Sequence, residues 1–443
     1  MRLANPLSLR AEATAARASL DAAWSRLPAA LRGPTQFLGR QYAGCAATIG
    51  AMPRCDFSCS GCYLTPDANG ARPLPMAALH DQLALIRRWL GPGGNVQLTD
   101  GELTLRAEAE LLELIACARN LGLVPMLMTH GETFRRDPDL LERLVRGGLS
   151  EVCFHVDTTM RGRRDRYAAV QTEPELDGLR SEFADLVRRT RKRTGRRLEA
   201  ASTVTVTRGN LAGVPGIVRW FLANADSFKM LSFQPVAAVG RTSAALEGVT
   251  ATELWAKIAE GAADPQLLRG AGSMGHTECS RFVQGLVGRD GRHFVPLYDR
   301  GRPAEMRTLA ELLDRLGGQT FRNDDWARAT RRAGRVLVRH GLFLATRMLP
   351  ALVRRAWATG TLRPRYFCLV SHHFMNEAEL QTPLGRERLA SCAFRVPVDG
   401  EMQSMCAVNA LGLRQKLYSS TRRPSAAASA RPAAGIPGGE HGG

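Results

Sequence analysis

Lysine is nearly absent from this chain of 443 residues. Only Lys192, Lys229, Lys257 and Lys416 occur among 60 basic residues; the rest are Arg. Aromatic residues make up 6%. A single-strand nucleic-acid surface interleaves basic side chains with aromatic platforms. Near the basic stretches 161–166 and 189–197 only Tyr167 could serve. Those stretches read as solvated helix faces, and no nucleic-acid partner is expected. The sequence has no run of about 18 uncharged apolar residues, so no transmembrane helix is expected. It has no uninterrupted apolar segment near its start, so no secretory signal is expected either. The expected location is the cytoplasm, where the ten cysteines should not form a disulfide framework. Paired Cys-x2-Cys knuckles of a structural zinc site are also missing.

What remains is ordinary for a large soluble chain: 44% hydrophobic and 23% charged residues. The net charge of +18 has two readings, a coding bias toward Arg or an anionic partner such as a membrane surface.

The informative feature is a crowd of thiols. Residues 55–63 read Cys-Asp-Phe-Ser-Cys-Ser-Gly-Cys-Tyr, so Cys55, Cys59 and Cys62 are spaced C-x3-C-x2-C. Thiolate is the soft ligand that iron–sulfur clusters prefer. Three thiols on one short loop can hold three corners of a cubane and leave the fourth iron open.

Strand-like apolar runs recur at 47–52, 95–98, 124–128, 152–157, 202–206 and 230–235. Amphipathic helical patterns alternate with them at 76–90, 107–121, 138–146, 173–193 and 214–224. Such alternation predicts βαβ units and a parallel sheet. The fold class expected is α/β, a partial (β/α)6 TIM-like barrel with an N-terminal helical arm and a mixed, helix-rich C-terminal extension. The expected division is 1–44 for the arm, 45–242 for the barrel, 243–418 for a substrate or auxiliary-metal domain and 419–443 for a disordered tail. In such barrels chemistry sits at the C-terminal strand ends.

The Cys spacing, the place of its loop after the first strand and the Asp100-Gly101-Glu102 strand end resemble the radical SAM superfamily. In that family a 4Fe–4S cluster binds S-adenosylmethionine at its open iron. The resemblance implies an electron donor of flavodoxin or ferredoxin type. Two positions depart from the family pattern. Gly61 stands where an aromatic residue often precedes the third Cys, with Tyr63 after it instead. Asp100 stands for the first Gly of the family's Gly-Gly-Glu-Pro, and Leu103 for its Pro. Gly101 should let the backbone approach the ligand, and Glu102 should pair with the methionyl ammonium. Thr129 lies in Thr-His-Gly, which resembles the family's Thr-Asn-Gly. Asp157 either faces ribose hydroxyls or caps the segment that follows. Ser202 and Gln234 complete the cofactor-binding set. His130 and His155 are either acid–base groups or structural histidines.

Beyond the barrel, Cys279, Cys368, Cys392 and Cys406 could hold a second iron–sulfur cluster or could be ordinary buried thiols. Residues 324–358 form an Arg-rich amphipathic pattern. It has an Arg face (Arg328, Arg331, Arg332, Arg335, Arg339) and an apolar face (Ala333, Leu337, Leu344, Met348, Leu352). Pro350 should end or kink this helix. The helix either packs on the barrel or lies on an anionic membrane. The motifs at 232–241, His276-x2-Cys279 and 372–375 resemble the group of archaeal tetraether-lipid synthase and the pterin methylases. That implies methylation or C–C bond formation, a transferase chemistry, at an unactivated carbon of a lipid or pterin-like molecule. The rivals are a peptide-modifying radical SAM maturase and a non-catalytic metal-binding scaffold on a degenerate barrel.

Overall fold

A computed structural model describes residues 6–318 and 326–421 of the chain. Most of the expected tail therefore lies outside the described residues. Twelve strands form one sheet: β1 Cys45–Ala47, β2 Asn95–Leu98, β3 Val124–Thr129, β4 Glu151–His155, β5 Glu199–Val206, β6 Phe228–Pro235, β7 Ala271–Ser273, β8 Ser280–Val287, β9 Phe294–Pro296, β10 Arg365–His372, β11 Phe394–Val398 and β12 Glu401–Ser404. Strands β1 to β6 pair parallel in chain order. This is the expected partial barrel, with helices such as Met76–Leu90 and Glu108–Asn120 between its strands. β11 extends it in parallel beside β1, and β10 does so beside β6. Segments far beyond residue 242 are thus part of the same sheet.

The first strand is shorter than expected. Residues 48–52 leave the ladder because the Thr48 hydroxyl donates to the Thr99 carbonyl at 2.7 Å, and Gly50 takes a positive φ of 71°. The chain is thereby turned over the mouth instead of running on as strand.

The sheet curls, and inward side chains define three levels. Leu20, Leu27 and Phe37 from the N-terminal arm, with Leu309 and Leu313 from the helix Pro303–Leu316, plug the end where the parallel strands begin. Above the plug lies a cavity of about 80 Å3 whose wall includes Met126, Cys153 and Met230. Above that, a second cavity of about 150 Å3 opens among the C-terminal strand ends and the Cys loop. The outer faces of β2 to β6 and their helices bury the largest apolar core.

Candidate active site

The Cys loop is clamped from three sides by backbone hydrogen bonds. On the β2 side, Gly101 N–H donates to the Met52 carbonyl at 2.7 Å and Glu102 N–H to that of Arg54 at 2.9 Å. A Cβ on Gly101 would come within 2.7 Å of the Met52 and Pro53 oxygens. Gly101 is required for close approach, as expected, but the partner is the loop's own backbone. After β4, Ser58 and Ser60 N–H donate to the Arg161 and Thr159 carbonyls, both at 2.9 Å. After β6, Arg241 N–H donates to the Leu64 carbonyl at 2.8 Å and Ser243 N–H to that of Ser60 at 2.8 Å. Gly240, at φ 60°, lets that segment pass against Tyr63. A Cβ on Gly61 would lie 3.2 Å from the Thr205 and Val236 methyls, a tight contact.

Cys55, Cys59 and Cys62 open into the mouth cavity with Tyr63, Asp100, Gly101, Glu102, Thr129 and Gln234. Burial pushes the Cys55 thiol up and the Cys59 thiol up to about 12. Donors approach the loop: Phe57 N–H lies 3.4 Å from Cys55 Sγ, and the Arg241 guanidinium donates to the Phe57 carbonyl at 3.1 Å.

Glu102 is 1% exposed. Its carboxylate accepts from the Thr104 hydroxyl at 2.5 Å, the Thr129 hydroxyl at 2.7 Å and His130 N–H at 2.9 Å. Thr129 accepts in turn from Gly131 N–H at 2.9 Å. This fixes one buried negative charge at the mouth. His130 stacks on Phe57 with ring centroids 3.8 Å apart and places Nε2 2.8 Å from the Asp56 carboxylate. Its Nδ1 lies 3.2 Å from Glu132 N, and its Nε2 is also 3.2 Å from the Glu102 carboxylate. Burial lowers the imidazole, but the Glu102 charge and the bonds to Asp56 and Cys55 outweigh it and raise it to about 10. Among the described residues, Cys55, Asp56 and His130 place ligand atoms within 4.8 Å of one another; Cys55, Cys59 and Cys62 as a set do not.

Three expected positions behave differently from the sequence expectation. The Asp100 carboxylate turns away from the mouth. It accepts from Gly50 N–H at 2.6 Å, from the Tyr418 hydroxyl at 2.6 Å and from the Arg414 guanidinium, all in the protein interior. Only its backbone carbonyl serves the mouth, by accepting from the Tyr63 hydroxyl at 2.7 Å. Ser202 points to the helix layer and donates to the Phe154 carbonyl at 2.9 Å. Strand alternation puts Thr203 on the inner face instead. Asp157 is fully buried and lines neither cavity. It takes the capping alternative, accepting from Thr159 N–H at 2.8 Å, and also holds His155 Nε2 at 2.7 Å and Thr205 N–H at 2.7 Å.

Burial favours the neutral acid at Asp157, but the His155 charge and the bonds to Thr159 and Thr205 outweigh it and hold the group down at about 2. In the unfolded chain an Asp titrates near about 3.9. The folded state therefore binds fewer protons, and the stabilisation is complete above about pH 4 and lost toward about pH 2. Metal-free protein should lose on the order of 2 kcal/mol across that window. Denaturant titrations from pH 5 to pH 2 should show a shallower decline for Asp157→Asn. An identical pH slope in both proteins would remove this role.

The deeper cavity gathers Cys279, Cys392 and Cys406, with Met274, Met375 and Met405 nearby. Arg388 Nε lies 3.2 Å from Cys279 Sγ, and the Ser404 hydroxyl 3.3 Å from Cys392 Sγ. Cys368 is not among them; it packs with the N-terminal plug. His372 and His373 also line this cavity, and burial lowers both to about 4, so they are neutral at pH 7. The buried hydroxyls of Ser232 and Ser280, and His373 Nε2, line it without a hydrogen-bond partner. Phe374, Phe394 and Met405 border both cavities, so the two are adjacent. Sequence reasoning missed Arg414 and Tyr418. Nothing in their local sequence marks them; only the fold sets them beside Asp100.

No protein-family model matches the chain. Among curated proteins it is similar to 7,8-dihydro-6-hydroxymethylpterin dimethyltransferase of Methanocaldococcus jannaschii, 25% identical over 226 residues, or 50% of this chain and 42% of that protein. The match thus spans less than half the length of that relative. Among solved structures it is similar to native anSMEcpe with bound AdoMet (16% identity, TM-score 0.32, 43% of this chain and 50% of that one). It is also similar to Streptococcus suis SuiB (12% identity, TM-score 0.35, 48% of this chain and 44% of that one).

Proposed function

We propose that this chain, which resembles the radical SAM superfamily in its Cys loop, its Gly101-Glu102 strand end and its parallel half-barrel, is a radical SAM enzyme. Its reaction is methylation or C–C bond formation at an unactivated carbon of a lipid or pterin-like small molecule. The observation that carries the reading is one shared cavity. Three thiols from one clamped loop face a buried carboxylate and the C-terminal ends of parallel strands. Three thiols of one loop lining one cavity are a soft, all-sulfur donor set, the kind that suits an iron–sulfur cluster.

Cys55, Cys59 and Cys62 would hold a 4Fe–4S cluster, and Glu102 with Thr129 would receive the ammonium of S-adenosylmethionine. When bound, these two groups supply a carbon-centred radical by one-electron cleavage of the sulfonium. The chain's own residues do the rest. The three-sided clamp fixes the thiols, the plug closes the far end against water, and the apolar cavity presents the substrate to the mouth. Methionine is flexible and polarizable and packs against irregular apolar bodies. The cavity's methionines suit a flexible apolar substrate, with the hydroxyls of Ser232 and Ser280 for its polar group. Cys279, Cys392 and Cys406 are the residues that would hold a second cluster. The electron comes from a donor of flavodoxin or ferredoxin type, and contact with a membrane surface goes with an apolar substrate.

The Cys55, Asp56 and His130 set supports a second reading, a metal-binding scaffold with one mononuclear ion. Iron and acid-labile sulfide per chain after anaerobic reconstitution, with 5′-deoxyadenosine release on reduction in the presence of S-adenosylmethionine, separates the two. About four of each means a cubane on the loop, and about eight adds a second cluster. One metal ion and no sulfide, with no deoxyadenosine, would leave the scaffold.

A further inference from the structure

Among the described residues, the most exposed apolar surface lies far from the barrel mouth in sequence, on the helix Trp326–Phe343, its wide π turn Leu344–Met348 and the continuation Leu349–Ala358. The expected break at Pro350 does not occur. Pro350 enters at the start of the continuation, directly after the wide turn, where its missing N–H is tolerated. The expected apolar face is also not the buried one: Leu337 and Leu352 are exposed, and Ala333, Leu344 and Met348 only half-buried. The outward stripe is Val338 (91% exposed), Leu342 (81%), Leu349, Val353 and Trp357 (72%). These recur at helical spacing along one side. Exposed Arg335, Arg339, Arg347 and Arg354 accompany them, and residues 326–376 contain neither Asp nor Glu.

We infer that this helix is a membrane-surface anchor that lies flat on an anionic lipid bilayer. The inference rests on surface chemistry and does not depend on the reaction. Water-exposed Leu, Val and Trp in one stripe are costly unless something covers them. The Arg complement with no carboxylate selects a negatively charged cover, and Arg stems can lie along lipid while their heads reach phosphates. By length and composition the helix could cross a bilayer, and little of it is buried, but a few side chains pin it to the protein. Phe343 is buried with the Arg315 guanidinium 5.2 Å over its ring, and Arg354 bonds Glu305 at 3.0 Å, as Arg355 does at 2.5 Å. These contacts hold the helix against the protein, which favours a surface orientation over a span.

The test is co-sedimentation with vesicles of phosphatidylglycerol and phosphatidylcholine in equal parts, against phosphatidylcholine alone. Wild type should pellet with the anionic vesicles and at least about tenfold less with the neutral ones, and molar salt should release it. Val338→Asp/Leu342→Asp and, separately, Arg335→Glu/Arg339→Glu should each weaken binding by about tenfold or more, with the thermal midpoint unchanged because all four side chains face solvent. Three results would overturn the inference. One is equal pelleting of wild type and variants. Another is a dimer by light scattering that the apolar variant dissolves, with no vesicle binding, which would make a second copy the cover. The last is membrane association that resists both salt and alkaline carbonate, which would make the helix a span.

Discussion

Replacing Cys59 with Ala should strip the loop of its metal while leaving the chain folded. Outer-shell partners of a metal site typically cost about 10–100-fold in affinity or activity when removed. A ligand should cost more, so 5′-deoxyadenosine release should fall by more than about a hundredfold. Iron should fall by about four per chain. Folding should survive because the loop is fixed by backbone bonds with Gly101, Glu102, Thr159 and Arg241, which the substitution leaves in place. Cys117→Ala, on the outer helix Glu108–Asn120, is the control and should keep both iron and turnover. Asp56→Asn decides the rival. It should keep the iron count if the three thiols are the ligands. If Asp56→Asn loses the metal and Cys59→Ala keeps it, the site is mononuclear and the radical reading fails.

The second large effect is expected far from the thiols in sequence. The side chains of Arg414 and Asp100 are both buried, 1% and 0% exposed, and they pair directly. Burial pushes the Asp100 acid up from the usual carboxylate range, while Arg414, Tyr418 and Gly50 N–H act against it. The Arg414 guanidinium is the counter-charge for this buried carboxylate. Arg414→Met leaves that charge buried without its counter-ion and should cost about 3–5 kcal/mol. The double variant Asp100→Asn/Arg414→Met removes both charges and should recover most of that loss. Urea denaturation of wild type, both single variants and the double variant measures the coupling directly. If the double variant loses the sum of the singles, the pair is not coupled and the account is wrong. The same cluster reaches the mouth, because the Arg414 guanidinium lies 4.7 Å over the Tyr63 ring and the Tyr63 hydroxyl holds the Asp100 carbonyl. The helix Leu413–Ser420 thereby ties the end of the described chain to the residue that follows the third Cys.

What the sequence determined by itself is local. Periodicity placed five of the six parallel strands and the helices between them to within a few residues, because a strand buried against helices and a helix with one apolar stripe each leave a repeat in the chain. The thiol spacing placed Cys55, Cys59 and Cys62 on one loop, since residues so close in sequence cannot separate in space. Gly101 and Glu102 are singled out by their resemblance to the family's Gly-Gly-Glu-Pro at the next strand end.

The tertiary structure decided everything that depends on which way a side chain faces or on partners hundreds of residues apart. Ser202 and Thr203 differ by one position, and only the register of β5 says which one faces the interior. Asp100 reads as a mouth residue until Arg414 and Tyr418, brought in by the fold, draw its carboxylate inward. The C-terminal thiols read as four equals until β10 turns Cys368 toward the plug and leaves Cys279, Cys392 and Cys406 around the cavity. The exposed helix reads as amphipathic either way. Which face is covered was set by Phe343 and Glu305, contacts that carry no trace in the helix's own pattern.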